Sequence, residues 1–350
     1  MAIVVGARSG TPAPKLSKAL TAMARDTVEA GGKVFVIRLD GSPAVVFDDD
    51  LNSTASNGSA FERDVNRHME SIARAFREKA TAAQPEADVL AAIGIAARSV
   101  GEGGNVVVLD SALATKGDLN FRQDGMLSAD PAEVAESLKR NDALPGLAGR
   151  RVLFEGLGNT VEPQPPLGER GVKNLGLIWA QVAKAAGAAC TFVNATPSSR
   201  TALGGTPSVT VVPVPPPVPS IKACGDTKLT EAHSVGFVRG EAEFREPGAA
   251  RKTLGLLAAV LAGSGKRVEV IGTTSSEGDR LYNLRLSRAR AEKVRDTLVE
   301  LGIPGDRVTA RGVGTDWPDH VPDLTAGGAV IPAAAARNRK VIVRLPACPA

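Results

Sequence analysis

The chain is short of aromatic residues, of cysteine and of long apolar runs, and each shortage narrows what it can be. Aromatics make up 3% of 350 residues, with one Tyr and two Trp, so any core has to be assembled from Ala, Val, Leu and Ile. Three cysteines, Cys190, Cys224 and Cys348, stand too far apart for a C-x-x-C metal or redox motif. No run of about 18 uninterrupted apolar residues occurs, so no transmembrane segment is expected in this chain. Residues 1–20 lack the charged, then apolar, then small-residue succession of a signal peptide. Because the chain opens directly on a strand-like run, AIVVG, a preceding segment that could carry an anchor is expected to be missing. The 42 basic and 38 acidic residues leave a net charge of +4, without the basic stripe of a nucleic-acid binder, and nucleic acid is not an expected partner.

What is present is enough apolar material for real cores, 43% of the chain, and enough length for two domains. Over residues 1–196, Val- and Ile-rich runs alternate with longer Ala-rich amphipathic stretches, the pattern of a three-layer, doubly wound α/β domain. Strands are expected at residues 2–6, 33–40, 105–110, 151–157 and 190–194, with residues 44–47 pairing back as a hairpin. Helices are expected at residues 15–30, 61–83, 131–140 and 172–186, with one more before Gly101. Asp130 before Pro131 reads as a helix cap followed by proline in the first turn. Residues 197–222 contain VVPVPPPVP, which favours extended polyproline geometry and reads as a semi-rigid linker.

Chemistry is hard to find in the first domain. Gly6-Ala7-Arg8-Ser9-Gly10 lies between a strand and a helix, where phosphate loops sit, but it matches neither G-x-G-x-x-G nor G-K-S/T. Leu109-Asp110-Ser111-Ala112 weakly resembles the D-x-S-x-S metal edge of von Willebrand factor A-type domains, broken by Ala112, and Asp40 and Asp48 to Asp50 are the other candidate oxygen ligands. No metal and no cofactor is expected. There is no G-x-S-x-G and no H-E-x-x-H, and His68, His233 and His320 are scattered, so catalysis is not expected. A degenerate A-type or Rossmann-like domain fixes no function by itself, and a protein partner is the expected role.

The third stretch, residues 223–350, is more specific. Strand-like segments at residues 235–238, 267–272, 308–313 and 340–345 alternate with helices over residues 247–262 and 282–301, the second closed by Gly302. Three blocks carry a resemblance: VIGTTSSEGDRLYNLRLSRARA (residues 270–291), ARGVGTDWP (310–318) and ARNRKVIV (336–343). In order and spacing they resemble the OmpA-like peptidoglycan-binding family, at Gly272, Thr274, Gly278, Asn283, Leu286, Ser287, Arg290 and Ala291, then Gly312, Gly314, Pro318, Asn338 and Arg339. The resemblance implies an OmpA-like α/β sandwich whose ligand is the diaminopimelate of the peptidoglycan stem peptide.

That ligand is a zwitterion, so it needs a cation for its carboxylate and an anion for its ammonium group. Arg290 fits the first role, because a guanidinium grips a carboxylate with a planar fork. Asn283 is expected to order the loop through its amide, and Arg339 to supply a second cation. The resemblance places an aspartate where this chain has Ser275, between Thr274 and the acids Glu277 and Asp279, either of which could turn in to replace it. The chain is therefore expected to be a non-catalytic envelope protein on the extracytoplasmic side, with peptidoglycan as partner of the C-terminal domain. The alternative is a domain that has lost wall binding and serves as an assembly module. Cys224 and Cys348 flank this domain and would form a disulfide if its ends meet in an oxidising compartment, or stay as two thiols.

Overall fold

Val and Ile run without interruption through residues 3–5 and 106–108, a pattern stable only where a strand is covered on both faces. The computed structural model describes residues 1–196 and 199–347. They cluster into two units, Met1–Gln123 with Val134–Val214, and Asp124–Glu133 with Pro215–Ala350. The first runs β1 (Ala2–Val5), α1 (Lys18–Glu29), β2 (Phe35–Arg38), β3 (Ala44–Phe47), α2 (Gly58–Glu78), α3 (Val89–Ser99) and β4 (Asn105–Leu109). It continues through α4 (Pro131–Arg140), whose start clusters with the second unit, then β5 (Arg151–Glu155), α5 (Gly168–Ala185) and β6 (Cys190–Asn194). The sheet order is β3-β2-β1-β4-β5-β6, parallel throughout except for β3 at one edge, which is the doubly wound order.

The two faces of this sheet are buried by different helices. Ile3, Val5 and Val107 share a core with Leu20 and Val28 of α1 and with Ile72 and Phe76 of α2. The alternate residues Val4, Val106 and Val108 point the other way and are equally buried, and α3 packs against β1, β2 and β4.

Ligands of such sheets bind where the strand order reverses, beyond the carboxyl ends of the strands; here that is between β1 and β4. A guanidinium fills the place. Arg8 donates from Nε to Asp110 Oδ2 at 2.9 Å and from Nη2 to Asp110 Oδ1 at 2.8 Å, and also reaches Ser111 Oγ and Leu113 O. Gly6 is required beside it, since a Cβ there would stand 1.9 Å from the Asp110 carboxylate. Asp40 is likewise engaged, accepting from Arg38 and from the amides of Ser42, Ala83 and Gln84. The Asp110 and Asp40 carboxylates are thus already engaged by protein donors. The segment at residues 6–10 is not a helix N-terminus either, because Pro12 and Pro14 hold the chain extended until Ser17 caps α1.

The proline-rich stretch is partly bound rather than free. Ala13 N donates to Thr201 O at 2.7 Å, Glu86 N to Ser208 O at 3.2 Å and Val212 N to Gln164 Oε1 at 2.7 Å. Carbonyls at Thr201 and Ser208 thus accept from the body of the first unit, and the amide of Val212 donates to it.

The second unit contains β7 (Gly225–Thr230), α6 (Pro247–Ser264), β8 (Val268–Gly272), α7 (Arg280–Glu300), β9 (Val308–Gly312), α8 (Pro332–Asn338) and β10 (Lys340–Leu345). Its sheet runs β7-β10-β8-β9, with β8 and β9 parallel and β10 antiparallel to both neighbours. Leu254, Leu257 and Leu261 of α6 and Val294 and Leu298 of α7 pack on Val270, Val341 and Val343. Strand β7 and helix α8 were not expected from the sequence. The segment expected to open this domain as a strand instead forms a single bridge between Phe237 and Phe244. The pairing expected for Cys224 involves Cys348, outside the described residues, and Cys190 is free and exposed. No helix among the described residues is long and apolar enough to cross a membrane.

Two substitutions test these packing claims by chemical denaturation. Arg8→Ala leaves the buried Asp110 carboxylate uncompensated and is expected to lower the stability of the first unit by about 3–5 kcal/mol; an unchanged midpoint would show that the pair is dispensable. Gly312→Ala sets a Cβ 2.2 Å from the backbone nitrogen of Arg288 and is expected to destabilise the second unit by about 1–3 kcal/mol.

Candidate functional site

The buried face of α7 changes character along its length. Asn283, Ser287 and Arg290 are buried in its first half, and Ala291, Val294, Thr297 and Leu298 in its second. The apolar half belongs to the core, so the polar half has to be satisfied by something else. Part of the answer is close approach. Gly272 and Gly312, at the ends of two neighbouring parallel strands, leave no room for a Cβ, which would meet Ser287 O at 2.0 Å in one case and Arg288 N at 2.2 Å in the other. Ser287 then bridges helix and loop, donating to Leu284 O at 2.9 Å and accepting from Gly314 N at 2.9 Å.

The loop after β8 is fixed on the opposite side. Ser276 N donates to the buried Asp323 carboxylate, which also accepts from Asn338 Nδ2 at 2.8 Å. Asn338 in turn exchanges two hydrogen bonds with the backbone of Val321. Asp279 caps α7, accepting from Tyr282 N at 2.8 Å.

Between this loop, α7 and the turn at residues 237–245 lies a cavity of about 280 Å³. Asp130, from the Asp124–Glu133 segment of the same unit, also lines it. Four guanidinium groups face it, those of Arg239, Arg245, Arg290 and Arg339. Three of them are paired. Arg245 meets Asp130 at 3.2 Å and Glu231 at 3.7 Å, Arg239 meets Glu277, and Arg339 grips Glu133 through both terminal nitrogens. Glu133 is 1% exposed; burial pushes its carboxyl up, against the pull of Arg339.

Arg290 is the exception. It is 4% exposed and has no carboxylate partner among the described residues. Its Nε donates to Glu241 O at 2.9 Å and its Nη2 to Val238 O at 3.2 Å, and the guanidinium lies 5.0 Å from the Phe237 ring centroid. Burial, and next the charge of Arg339, draw its pKa down to about 10, so the group remains a cation at neutral pH. Of the roughly five N–H donors of a guanidinium, the two carbonyls take one each.

Two further groups are open. Thr274 Oγ1 is the one buried side-chain polar atom without a hydrogen bond among the described residues, and its residue lines the cavity. The Asn283 amide, also lining it, makes no side-chain hydrogen bond among the described residues. A buried cation without an anion, an unpartnered hydroxyl and an unpartnered amide on one cavity describe a site for a polar ligand with an acidic group.

Residues 236–322 match the OmpA family model. They form an OmpA-family domain. Outer membrane protein A of Yersinia pseudotuberculosis serotype I (strain IP32953) is 38% identical over 112 residues, 31% of this chain and 30% of that protein. Outer membrane protein A of Serratia marcescens is 49% identical over 47 residues, 13% of each. The chain thus spans less than a third of the length of these relatives. Similar solved structures include the peptidoglycan-associated lipoprotein from Burkholderia pseudomallei, 23% identical over 30% of this chain and 82% of that one, TM-score 0.25. Another is the cell wall anchor of the T6SS from Pseudomonas aeruginosa, 26% identical over 35% and 81%, TM-score 0.28. Overlays at such scores carry no functional weight.

The second unit brings most of the expected site residues together. Thr274, Ser275, Glu277, Asn283, Leu286, Arg290 and Arg339 all line the one cavity. Asp279 does not, because its carboxylate caps α7. Asn283 contributes an open amide rather than ordering the loop. Arg339 is held by Glu133 and by Ser275 Oγ at 3.2 Å, so it is not a free second cation. Sequence reasoning missed Asp130, Glu133, Arg239 and Arg245. Asp130 was legible as a helix cap, but nothing local says that the cap faces a cavity formed 100 residues later.

Arg290→Met removes both donors to the 238–241 turn while keeping an apolar stem. Hydrogen exchange is the measurement. Amides of that turn, including Glu241 N bonded to Val238 O at 3.0 Å, are expected to exchange about tenfold faster or more, for the loss of charge-assisted bonds. Unaltered protection there would mean that the turn stands without Arg290.

Proposed function

We propose that this protein is a non-catalytic component of the bacterial cell envelope that binds peptidoglycan, on the extracytoplasmic side, through its OmpA-family domain. The observation that carries the reading is Arg290, a buried cation with no anion of its own, opening onto a cavity of about 280 Å³. The carboxylate of the diaminopimelate stem residue is the group it takes. Thr274 Oγ1 and the Asn283 amide supply the remaining polar contacts. Binding an anion there restores charge compensation that folding alone leaves incomplete, and the rigid surroundings mean that little ordering accompanies it.

The first unit serves as a protein-interaction module. What supports this is the switch point, where the Arg8–Asp110 pair stands in the crevice a small ligand would use. The alternative for the OmpA-family domain, an assembly module that no longer binds the wall, draws on Ser275, which lacks the carboxylate implied by the resemblance.

Sedimentation with purified peptidoglycan tests the choice. The whole chain is expected to co-sediment, Arg290→Ala to be retained about tenfold less or worse, given the ~1.5–3 kcal/mol of a charged hydrogen bond, and Arg285→Ala, on the exposed face of the same helix, to behave as the parent. Equal retention of the Arg290 and Arg285 variants would falsify the assignment of the pocket. A parent chain that stays in the supernatant would favour the assembly reading.

A further inference from the structure

We infer that Asp130 is the anionic pole of the cavity, the carboxylate that receives the ammonium group of a zwitterionic ligand. The inference rests on the peptidoglycan reading, because only a ligand bearing both charges uses both poles.

The geometry gives Asp130 what residue 275 lacks. Asp130 lines the same cavity as Arg290 and Thr274. Its Oδ1 accepts from the amides of Ala132 at 3.0 Å and Glu133 at 3.3 Å, and its Oδ2 accepts from Arg245 at 3.2 Å. The cap bonds fix the carboxylate before any ligand arrives. A carboxylate offers about four acceptor positions, so these contacts leave roughly one open. Arg245 divides its charge between Asp130 and Glu231, so it does not neutralise Asp130 alone.

The competing acids are worse placed. Asp279 caps α7 and is not in the cavity. Glu277 is in the cavity but its side chain is 37% exposed and closed on Arg239, with Arg339 at 3.8 Å; solvent and two cations weaken its hold on an ammonium group. Asp130, at 12% side-chain exposure, acts in a drier setting where a charge-assisted bond is stronger. The buried, unpartnered Thr274 hydroxyl on the same cavity is independent of any acid and marks the place as built for a polar guest.

Asp130→Asn separates charge from structure, because asparagine caps a helix as well as aspartate does. The test is titration of the whole chain, followed calorimetrically, with diaminopimelate and with pimelate, which has the same two carboxylates and no amines. Asp130→Asn is expected to weaken diaminopimelate about tenfold or more and to leave pimelate unchanged, whereas Arg290→Ala weakens both. Undiminished binding of diaminopimelate by Asp130→Asn overturns the inference, as does an equal loss for both ligands, which would report a disturbed cavity. A selective loss in Glu277→Gln instead would assign the pole to Glu277. If Arg290→Ala binds both ligands as the parent does, or the parent binds neither, the peptidoglycan reading fails and this inference with it.

Discussion

The second unit is organised around one unbalanced charge. Removing a guanidinium from water costs several kcal/mol, and Arg290 meets that cost with two backbone carbonyls and an aromatic face rather than with a carboxylate. Charge-assisted hydrogen bonds return ~1.5–3 kcal/mol each, and a cation over a ring returns about 0.5–2 kcal/mol. Those contributions are comparable to the penalty, so the side chain stays buried and charged, with its pKa drawn down to about 10. The remaining positive field has no internal partner among the described residues. The same contacts tie the 238–241 turn to α7, so the cation and one wall of its cavity are a single construction.

The position of Arg290 depends in turn on how closely α7 approaches the strand ends. Gly272 and Gly312 let the helix backbone touch β8 and β9, and Ser287, fully buried, locks the loop at Gly314 to the same helix. Arg290 sits three residues beyond Ser287, one helical turn further along the same face. The glycines and serine of the motif therefore set the location of the guanidinium without touching what it would bind. On the other side, Asp323 and Asn338 hold the loop that carries Thr274 and Ser275.

Local pattern made much of this legible. Buried parallel strands announce themselves as unbroken Val and Ile runs, and the end of α7 is marked by Gly302, whereas its cap Asp279 was expected in the site instead. Other elements are silent. GDTKLT, the sequence of β7, buries only Thr227 and Leu229 deeply, and its strand character comes from pairing with β10 rather than from hydrophobicity. PAAAARN, the sequence of α8, is too short for a periodicity and is held by burial of Pro332, Ala333, Ala335, Ala336 and Asn338. The backbone hydrogen bonds that hold residues 201–212 within the first unit are invisible in a proline-rich composition. Asp130 and Glu133 read as the ordinary opening of a helix, since only long-range folding places Asp130 on the cavity and Glu133 against Arg339.

That long-range contact also fixes the surroundings of Ser275. Glu133 takes both terminal nitrogens of Arg339, while Ser275 Oγ accepts from the Nε and Nη2 of the same guanidinium. An aspartate at position 275 would bring a second carboxylate to a fork that a buried glutamate already fills. Glu133 stands 3.6 Å from Arg239 as well, so it already holds the two guanidinium groups nearest to it. A neutral hydroxyl meets the third and fourth contacts of the guanidinium without adding charge. Serine at 275 and glutamate at 133 thus share one guanidinium, the hydroxyl accepting from the donors that the carboxylate leaves.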